Sequence, residues 1–252
     1  MTKYILLLFI LALCSAVWAA PNLNESGIKH IKQNGYNPTS SAGDDVWSQD
    51  GAYSFPTDVD PINAVSSSAN DAAAGTGCRT VVIEGLDESY NYQTETVTMN
   101  GATPVFLSGS YIRVNRAYCA TVGTGGVNAG ALSFTVNATS AVLAHMPASQ
   151  GRSQQAIFSV PADKPFTYLD GWDFSVGAST TAQAAVQLQM RTFNGSWQVL
   201  DVGTGNDTSG IIHKVFGSSL KLPPKADIKL NLLSVGTSNH RVNGGLEILQ
   251  RP

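Results

Sequence analysis

The chain has 252 residues, of which 43% are hydrophobic and 13% charged, with 24 Gly and 11 Pro. This composition supports a folded core and excludes wholesale disorder. The 15 Lys and Arg against 18 Asp and Glu give a net charge of −3, which excludes a nucleic-acid binder that works by bulk positive charge. The scarcity of Glu, Lys and Arg beside many Gly, Ser, Thr, Asn and Val favours strands over helices.

Residues 1–19 have the pattern of a secretory signal peptide. Lys3 precedes an apolar run over residues 4–13, and small residues follow it. Val17 and Ala19 suit positions −3 and −1 of a cleavage site, so we expect cleavage after Ala19. An uncleaved anchor is the alternative, but the apolar stretch is short for a membrane span and no basic flank follows it. We therefore expect export, to the periplasm, the exterior or a virion surface.

Two cysteines, Cys78 and Cys119, remain once the signal peptide and its Cys14 are removed. An even pair in an exported protein favours a disulfide. Closing a loop of this size would stabilise the fold by roughly 3–4 kcal/mol in the chain-entropy model. Two buried free thiols are the alternative. No Cys-x-x-Cys or matching His pair predicts a zinc site.

Residues 20–44 are polar with isolated apolar side chains, and we interpret them as an extended N-terminal arm. Ile28, Ile31 and Tyr36 are too few to fold alone. We therefore expect the arm to become ordered only on a neighbouring subunit or partner, where contacts offset the entropy of ordering.

Residues 45–146 are predicted to form a first β-sandwich domain. Segments 80–86, 92–99, 111–120 and 131–136 are rich in β-formers or alternate between apolar and polar residues, and Asn100-Gly101 predicts a tight turn. The single predicted helix is a short one at residues 68–74, where an alanine-rich run ends at Gly75. The polar and breaker residues around position 150 predict a domain boundary.

Residues 152–252 are predicted to form a second β-sandwich domain. Asn194-Gly195 predicts a hairpin turn. The predicted strands lie at 155–161, 166–176, 185–191, 197–200, 213–222, 226–233 and 245–249. Strands at this density are typical of an immunoglobulin-like or a jelly-roll sandwich. The predicted fold class is therefore all-β, with two tandem β-sandwich domains after a signal peptide and an arm.

Polar residues in the sequence form no catalytic motif. The histidines at 30, 145, 213 and 240 have no metal-binding spacing, and no Gly-x-Ser-x-Gly elbow occurs. Asp-rich stretches at 44–60 and 201–207, the latter containing Asn206 and Asp207, could bind Ca²⁺ through oxygen ligands. The calcium-loop order is missing, and turn formation explains these residues equally well. We predict no enzyme activity, no metal site and no cofactor.

Aromatic side chains could line a sugar-binding face, as they do in carbohydrate modules. The candidates are Trp47, Tyr53, Phe55, Tyr90, Tyr92, Trp172 and Trp197. Trp172 and Phe174 lie two residues apart, share a strand face and are expected in the core. Trp197 follows the hairpin turn and could be in the core or at the surface. The candidate binding residues are Trp197, Asn206 and Asp207.

Several segments resemble virion structural proteins of marine tailed bacteriophages, across roughly residues 44–250. The similar segments are Asp45-Val46-Trp47, residues 51–57, 70–77, 79–81, 82–87 and 95–101, Arg113-Val114-Asn115-Arg116-Ala117, and residues 222–228. The resemblance implies a β-rich particle component, such as a head-decoration or tail-associated protein, and carries no catalytic residues. One departure is the signal peptide, which such proteins rarely carry because they assemble in the cytoplasm. It points to an exported relative, or to a virus whose particle proteins pass through the envelope.

Two classes of function follow from these observations. The first is a non-enzymatic virion or particle protein that acts through contacts with copies of itself and with other particle proteins. The second is a secreted module that recognises a glycan or a receptor. Neither needs a nucleic-acid partner, or a membrane beyond the signal peptide.

Overall fold

The computed structural model describes residues 27–177, 182–236 and 240–251. The predicted signal peptide at 1–19 lies outside the described residues. No helix in the described part is long and apolar enough to cross a membrane. Its strands are β1 (Lys29–Ser40), β2 (Asp60–Ser66), β3 (Cys78–Leu86), β4 (Tyr92–Thr98), β5 (Val105–Tyr111), β6 (Arg113–Val122), β7 (Leu132–Val136), β8 (Val142–Met146), β9 (Ile157–Ser159), β10 (Phe166–Gly177), β11 (Gln183–Arg191), β12 (Gln198–Asn206), β13 (Ile211–Leu222), β14 (Asp227–Val235) and β15 (His240–Arg251).

The strands form four antiparallel sheets. Sheet 1 has the order β5-β2-β7-β8, sheet 2 β4-β3-β6, sheet 3 β1-β15-β10-β13, and sheet 4 β12-β11-β14-β9. Many strands alternate and bury one face, as in β7, where Leu132, Phe134 and Val136 are buried. In sheet 4, β11 and β14 instead contain runs of consecutive buried residues. The predicted all-β class is confirmed.

Two separate hydrophobic cores show which sheets pack against each other. Strands of sheets 1 and 2 bury one cluster, which includes Ile62, Val81 and Phe134. Strands of sheets 3 and 4 bury a second cluster around Trp172 and Phe174, whose rings stack with centroids 5.5 Å apart. The core position expected for this pair is confirmed. The molecule therefore consists of two β-sandwiches, each packed around its own core.

The disulfide joins Cys78 of β3 to Cys119 of β6, with Cα atoms 5.7 Å apart, as the cysteine parity predicted. Beside it the buried carboxylate of Asp71 accepts hydrogen bonds from the backbone amides of Cys78 at 2.6 Å and Gly130 at 2.8 Å. Ser66 Oγ donates to the same carboxylate at 2.6 Å. The end of β3 is thus held by both a covalent and a polar anchor.

Residues 29–46 differ from the predicted free arm. β1 pairs along its length with β15, for example Ile31 with Ile248. The amide of Val46 donates to Leu230 of β14 at 2.9 Å, and the Val46 side chain lies in the core of the second sandwich. The arm is therefore ordered on its own chain. The strands of sheets 1 and 2 begin at β2.

The buried face of β1 explains why alternation did not reveal the strand. Its inward residues include Gln33 and Asn37, which are polar. Gln33 Nε2 donates to the Asn115 carbonyl, and Asn37 Nδ2 donates to the Asp45 carbonyl at 3.2 Å. Because these groups find partners inside the protein, burying them is tolerated. A hydrophobic pattern cannot report such a strand.

The predicted helix at residues 68–74 is not formed. This stretch is a series of turns, with the Gly75 amide donating to the Ala72 carbonyl at 2.8 Å. Asp71 accepts hydrogen bonds from the backbone amides of Cys78, Ala129 and Gly130, which lie outside this stretch. Strands β2, β5 and β8 were also not predicted, since Pro61, the Ser108-Gly109-Ser110 run and a short length weaken their patterns.

Candidate functional site: the sandwich junction and the exposed strand edges

A buried ion cluster joins the two sandwiches. Arg113 of β6 makes a two-pronged contact with Asp227 of β14, with Nε to Oδ1 and Nη2 to Oδ2 both 3.0 Å. Arg191 of β11 reaches Asp227 Oδ2 from Nη2 at 2.7 Å, and Ser159 Oγ also donates to this carboxylate. Side-chain exposure is 3% for Arg113 and 4% for Asp227. Such a pair holds its geometry because either charge alone would be costly to bury.

The electrostatics of Asp227 reflect these partners. Burial pushes the pKa of Asp227 upward, but hydrogen bonds and charge from Arg113, with bonds from Ser159 and Arg191, outweigh it and hold that pKa below its ordinary value. The carboxylate is therefore ionised at neutral pH and serves as the common acceptor of the junction.

Trp197 lies in a stack of aromatic rings and cations at the same junction. Arg191 lies 4.8 Å and Lys229 Nζ 4.6 Å from the Trp197 ring centroid, and the ring of Phe55 is 5.0 Å away. Lys229 is also paired with the buried Asp45 at 2.8 Å. Cation–π contacts of this kind stabilise the stack. The Trp197 ring is thus occupied by protein neighbours rather than presented alone as a platform for a sugar.

A cleft of ≈ 540 Å³ opens beside the ion cluster, between loops of both sandwiches. Tyr90 and Phe193 meet edge to face at 5.5 Å, with Lys225 Nζ 5.1 Å from the Phe193 ring. Tyr90, Asn194 and Lys225 all have positive φ, at 67°, 57° and 63°. Backbone strain of this kind costs on the order of 1–3 kcal/mol per residue and clusters at binding sites.

Asn206 and Asp207 belong to the turn between β12 and β13. Asn206 Oδ1 accepts hydrogen bonds from the Thr208 amide at 3.1 Å and from Ser209 Oγ at 2.6 Å, a typical turn arrangement. Asp201, which belongs to the same Asp-rich stretch, is paired with Lys214 at 3.0 Å. The polar groups of this stretch therefore serve the hairpin.

The four histidines have different surroundings. His145 is hydrogen-bonded to Ser48 Oγ at 2.8 Å, and burial lowers the pKa of its imidazole. His30 lies exposed on β1, and His240 is buried at the start of β15. His213 lies next to Glu247, with Nε2 and Oε2 3.6 Å apart. Sequence spacing could not show the last contact, because it arises from β13 and β15 both pairing with β10, which lies between them.

Exposed apolar side chains line β12 and β13. Ile211 is 73% exposed, Val215 64%, Val199 51% and Val202 40%. Each strand is at the end of its sheet, β13 next to β10 and β12 next to β11. An edge strand offers unpaired backbone groups, and natural proteins usually protect such edges with charge or proline. We call these four residues and the two strands the edge surface.

These features define an all-β protein of two sandwiches with a polar junction and an apolar edge. No protein family model and no curated protein matches the sequence. The VP2 subviral particle of infectious bursal disease virus is 8% identical at a TM-score of 0.22, over 89% of this chain and 72% of that one. The Gt strain structure of the same virus is 9% identical at 0.13, over 90% and 82%. Such TM-scores establish no shared fold.

Proposed function

We propose that the chain is a non-enzymatic structural protein of a virion or surface particle, which acts through contacts between protein subunits. The observation that carries this proposal is the edge surface, where Ile211, Val215, Val199 and Val202 are exposed on β12 and β13, the terminal strands of their sheets. Apolar side chains beside open edges favour pairing with another subunit. Only 13% of the residues are charged, so little like-charge repulsion opposes contact between copies.

The resemblance to marine tailed-phage virion proteins gives this proposal its specific form, a head-decoration or tail-associated component. Its partners would be further copies of the chain and other proteins of the particle. Export through the predicted signal peptide would place the assembly in the periplasm, outside the cell or on a virion surface.

Light scattering of the purified chain over a range of concentrations tests the assembly proposal. The wild type is expected to form a defined oligomer, and Ile211→Lys with Val215→Lys should shift it to monomer, because a buried charge without a partner is costly. Phe106→Lys is the matched control, since Phe106 is 60% exposed on β5 of the other sandwich. A wild type that stays monomeric up to about millimolar concentration would refute self-assembly.

A second candidate function is glycan or receptor binding at the junction cleft. It is favoured by the three positive-φ residues Tyr90, Asn194 and Lys225, which converge there from different loops. Phe193, half exposed at the rim, supplies an aromatic face for a sugar ring. Binding on a glycan array that Phe193→Ala abolishes would support this function. Phe166→Ala should retain binding, because Phe166 is a similarly exposed phenylalanine, on β10, that does not line the cleft. An array without signal would count against it.

A further inference from the structure

Four ionisable side chains form a row across the outer face of sheet 3, one from each strand. Lys32 of β1 is paired in register with Glu247 of β15, and Asp173 of β10 is paired with His213 of β13. Asp173 is opposite Gly245, two residues from Glu247. Because alternate residues of a strand share a face, the register places all four side chains together.

The ligand atoms in this row are close enough to share one ion. One atom each from Asp173, His213 and Glu247 lies within 4.8 Å of the other two. The Lys32 ammonium lies between the carboxylates, with Nζ 2.8 Å from Asp173 Oδ2 and 3.0 Å from Glu247 Oε1. A positive charge is thus already held at the centre of the group, with the imidazole at its border.

Gly245 explains how Asp173 of β10 comes so close to β15. A Cβ at this mid-strand position would lie 2.9 and 3.1 Å from the Asp173 carboxylate oxygens and 3.2 Å from Asn34 Oδ1. A side chain at position 245 would therefore collide with the Asp173 carboxylate, and glycine lets that carboxylate lie against β15 on the face that carries Glu247. Glycine weakens a strand interior, and its presence there often marks a close approach of a ligand or another backbone.

We propose that Asp173, His213 and Glu247 form a binding site for a divalent transition metal ion, with zinc as the best match. Two carboxylates and an imidazole are ligands that zinc accepts, with water completing a four-coordinate site. The Lys32 side chain is half exposed, so its ammonium can withdraw to solvent when the metal enters. Lys32 therefore competes with the metal for the two carboxylates.

Neighbouring groups provide matched controls. A shallow depression beside the site is lined by His30, Asp170 and Glu247, among others. His30 and Asp170 have the same chemistry as the ligands but lie outside the group of three. Non-specific binding of metal to the surface would depend on His30 and Asp170 as much as on the three proposed ligands. Binding at a specific site would depend on the three ligands only.

Zinc titration of the purified chain against a chromogenic chelator tests the site. One zinc ion per chain is expected, and His213→Ala should weaken binding at least about tenfold, the lower range for perturbing a metal site. His30→Ala and Asp170→Asn should bind as the wild type does. The absence of stoichiometric zinc binding by the wild type up to millimolar metal, or equal losses in His213→Ala and His30→Ala, would overturn the proposal.

Lys32→Met provides a test with the opposite sign. Removing the competing ammonium while keeping the chain length should strengthen zinc binding about tenfold, whereas a site that merely depends on an intact sheet would be weakened. Thermal unfolding without metal checks that each variant is folded. Unchanged or weaker zinc binding by folded Lys32→Met would show that the ammonium and the metal do not share a position, which also overturns the proposal.

Discussion

At the scale of single residues, the junction depends on one carboxylate with several donors. Asp227 receives Arg113, Arg191 and Ser159, which come from three different strands. Charges buried in this way stabilise a fold only while each partner is present. The sequence assigned no role to Arg113, Arg191 or Asp227, because these residues are far apart in the chain and share no charge or spacing motif.

Replacing Asp227 with Ala is expected to lower the free energy of unfolding by about 3–5 kcal/mol, since Arg113 would remain buried without a counter-charge. Urea denaturation measures this change. Asp58→Ala, at an exposed carboxylate, should change stability by less than about 0.5 kcal/mol. Similar small effects in both variants would contradict the importance of the junction pair.

The same carboxylate predicts a dependence on acid. Because the folded-state pKa of Asp227 lies below its ordinary value of 3.8, ionised Asp227 stabilises the fold above that value. Its contribution is lost as the pH falls through the folded pKa. The unfolding free energy of the wild type should therefore decrease below about pH 4 more steeply than that of Asp227→Asn. Parallel pH profiles for the two proteins would rule out this source of acid sensitivity.

At the scale of elements, β1 shows how a strand can be specified by its surroundings. Its glycine at position 35 lies where a Cβ would be 2.0 Å from the Val46 carbonyl oxygen and 2.4 Å from the Ala156 amide nitrogen. Those atoms belong to backbones that are themselves hydrogen-bonded to each other. The backbone of β1 therefore lies so close to these atoms that position 35 has no space for a side chain.

Gly35→Ala is expected to destabilise the protein by about 3 kcal/mol or more, because overpacking against backbone atoms cannot be relieved by a side-chain rotation. Gly217→Ala is the control. It lies in β13 with no atom within 4 Å of a new Cβ, and the lost freedom of the unfolded chain should make it neutral or slightly stabilising. Equal shifts in the thermal unfolding midpoints of the two variants would refute the close packing of β1 at Gly35.

The disulfide between β3 and β6 gives a second prediction for an element. Replacing both Cys78 and Cys119 with Ala should cost about 2–5 kcal/mol, chiefly because the unfolded chain regains freedom over a sequence separation of 41 residues. Denaturant midpoints with and without reductant measure the effect. Reductant should destabilise the wild type and leave the double variant unchanged; a double variant as stable as the oxidised wild type would contradict the prediction.

At the scale of the whole molecule, the two sandwiches are connected by buried polar contacts. Asn115 of β6 donates from Nδ2 to the Ser159 carbonyl at 2.9 Å and accepts from the Ser159 amide at 2.8 Å. Gln155 Nε2 donates to the Val114 carbonyl at 2.8 Å. Separating the sandwiches would break these hydrogen bonds and leave the polar groups without their partners. We therefore expect the molecule to unfold as one cooperative unit.

Calorimetry tests this cooperativity. The wild type should give one transition whose calorimetric and van't Hoff enthalpies agree. Asn115→Ala leaves both backbone groups of Ser159 without their partner, at about 1–3 kcal/mol each, and should split the transition or lower its midpoint. Asn243→Ala, at an exposed position, is the control. Two separate transitions in the wild type would show that the sandwiches unfold independently.

Local patterns in the sequence determined the all-β class, most strands of the second sandwich, the turns at Asn100-Gly101 and Asn194-Gly195, and the cysteine pair. Each of these depends on neighbouring residues or on parity. Tertiary structure alone decided that β1 pairs with β15, that Arg113 meets Asp227, and that His213 lies beside Glu247. The physical reason is that antiparallel pairing brings together residues distant in sequence, and buried polar groups are placed by partners that no periodicity announces.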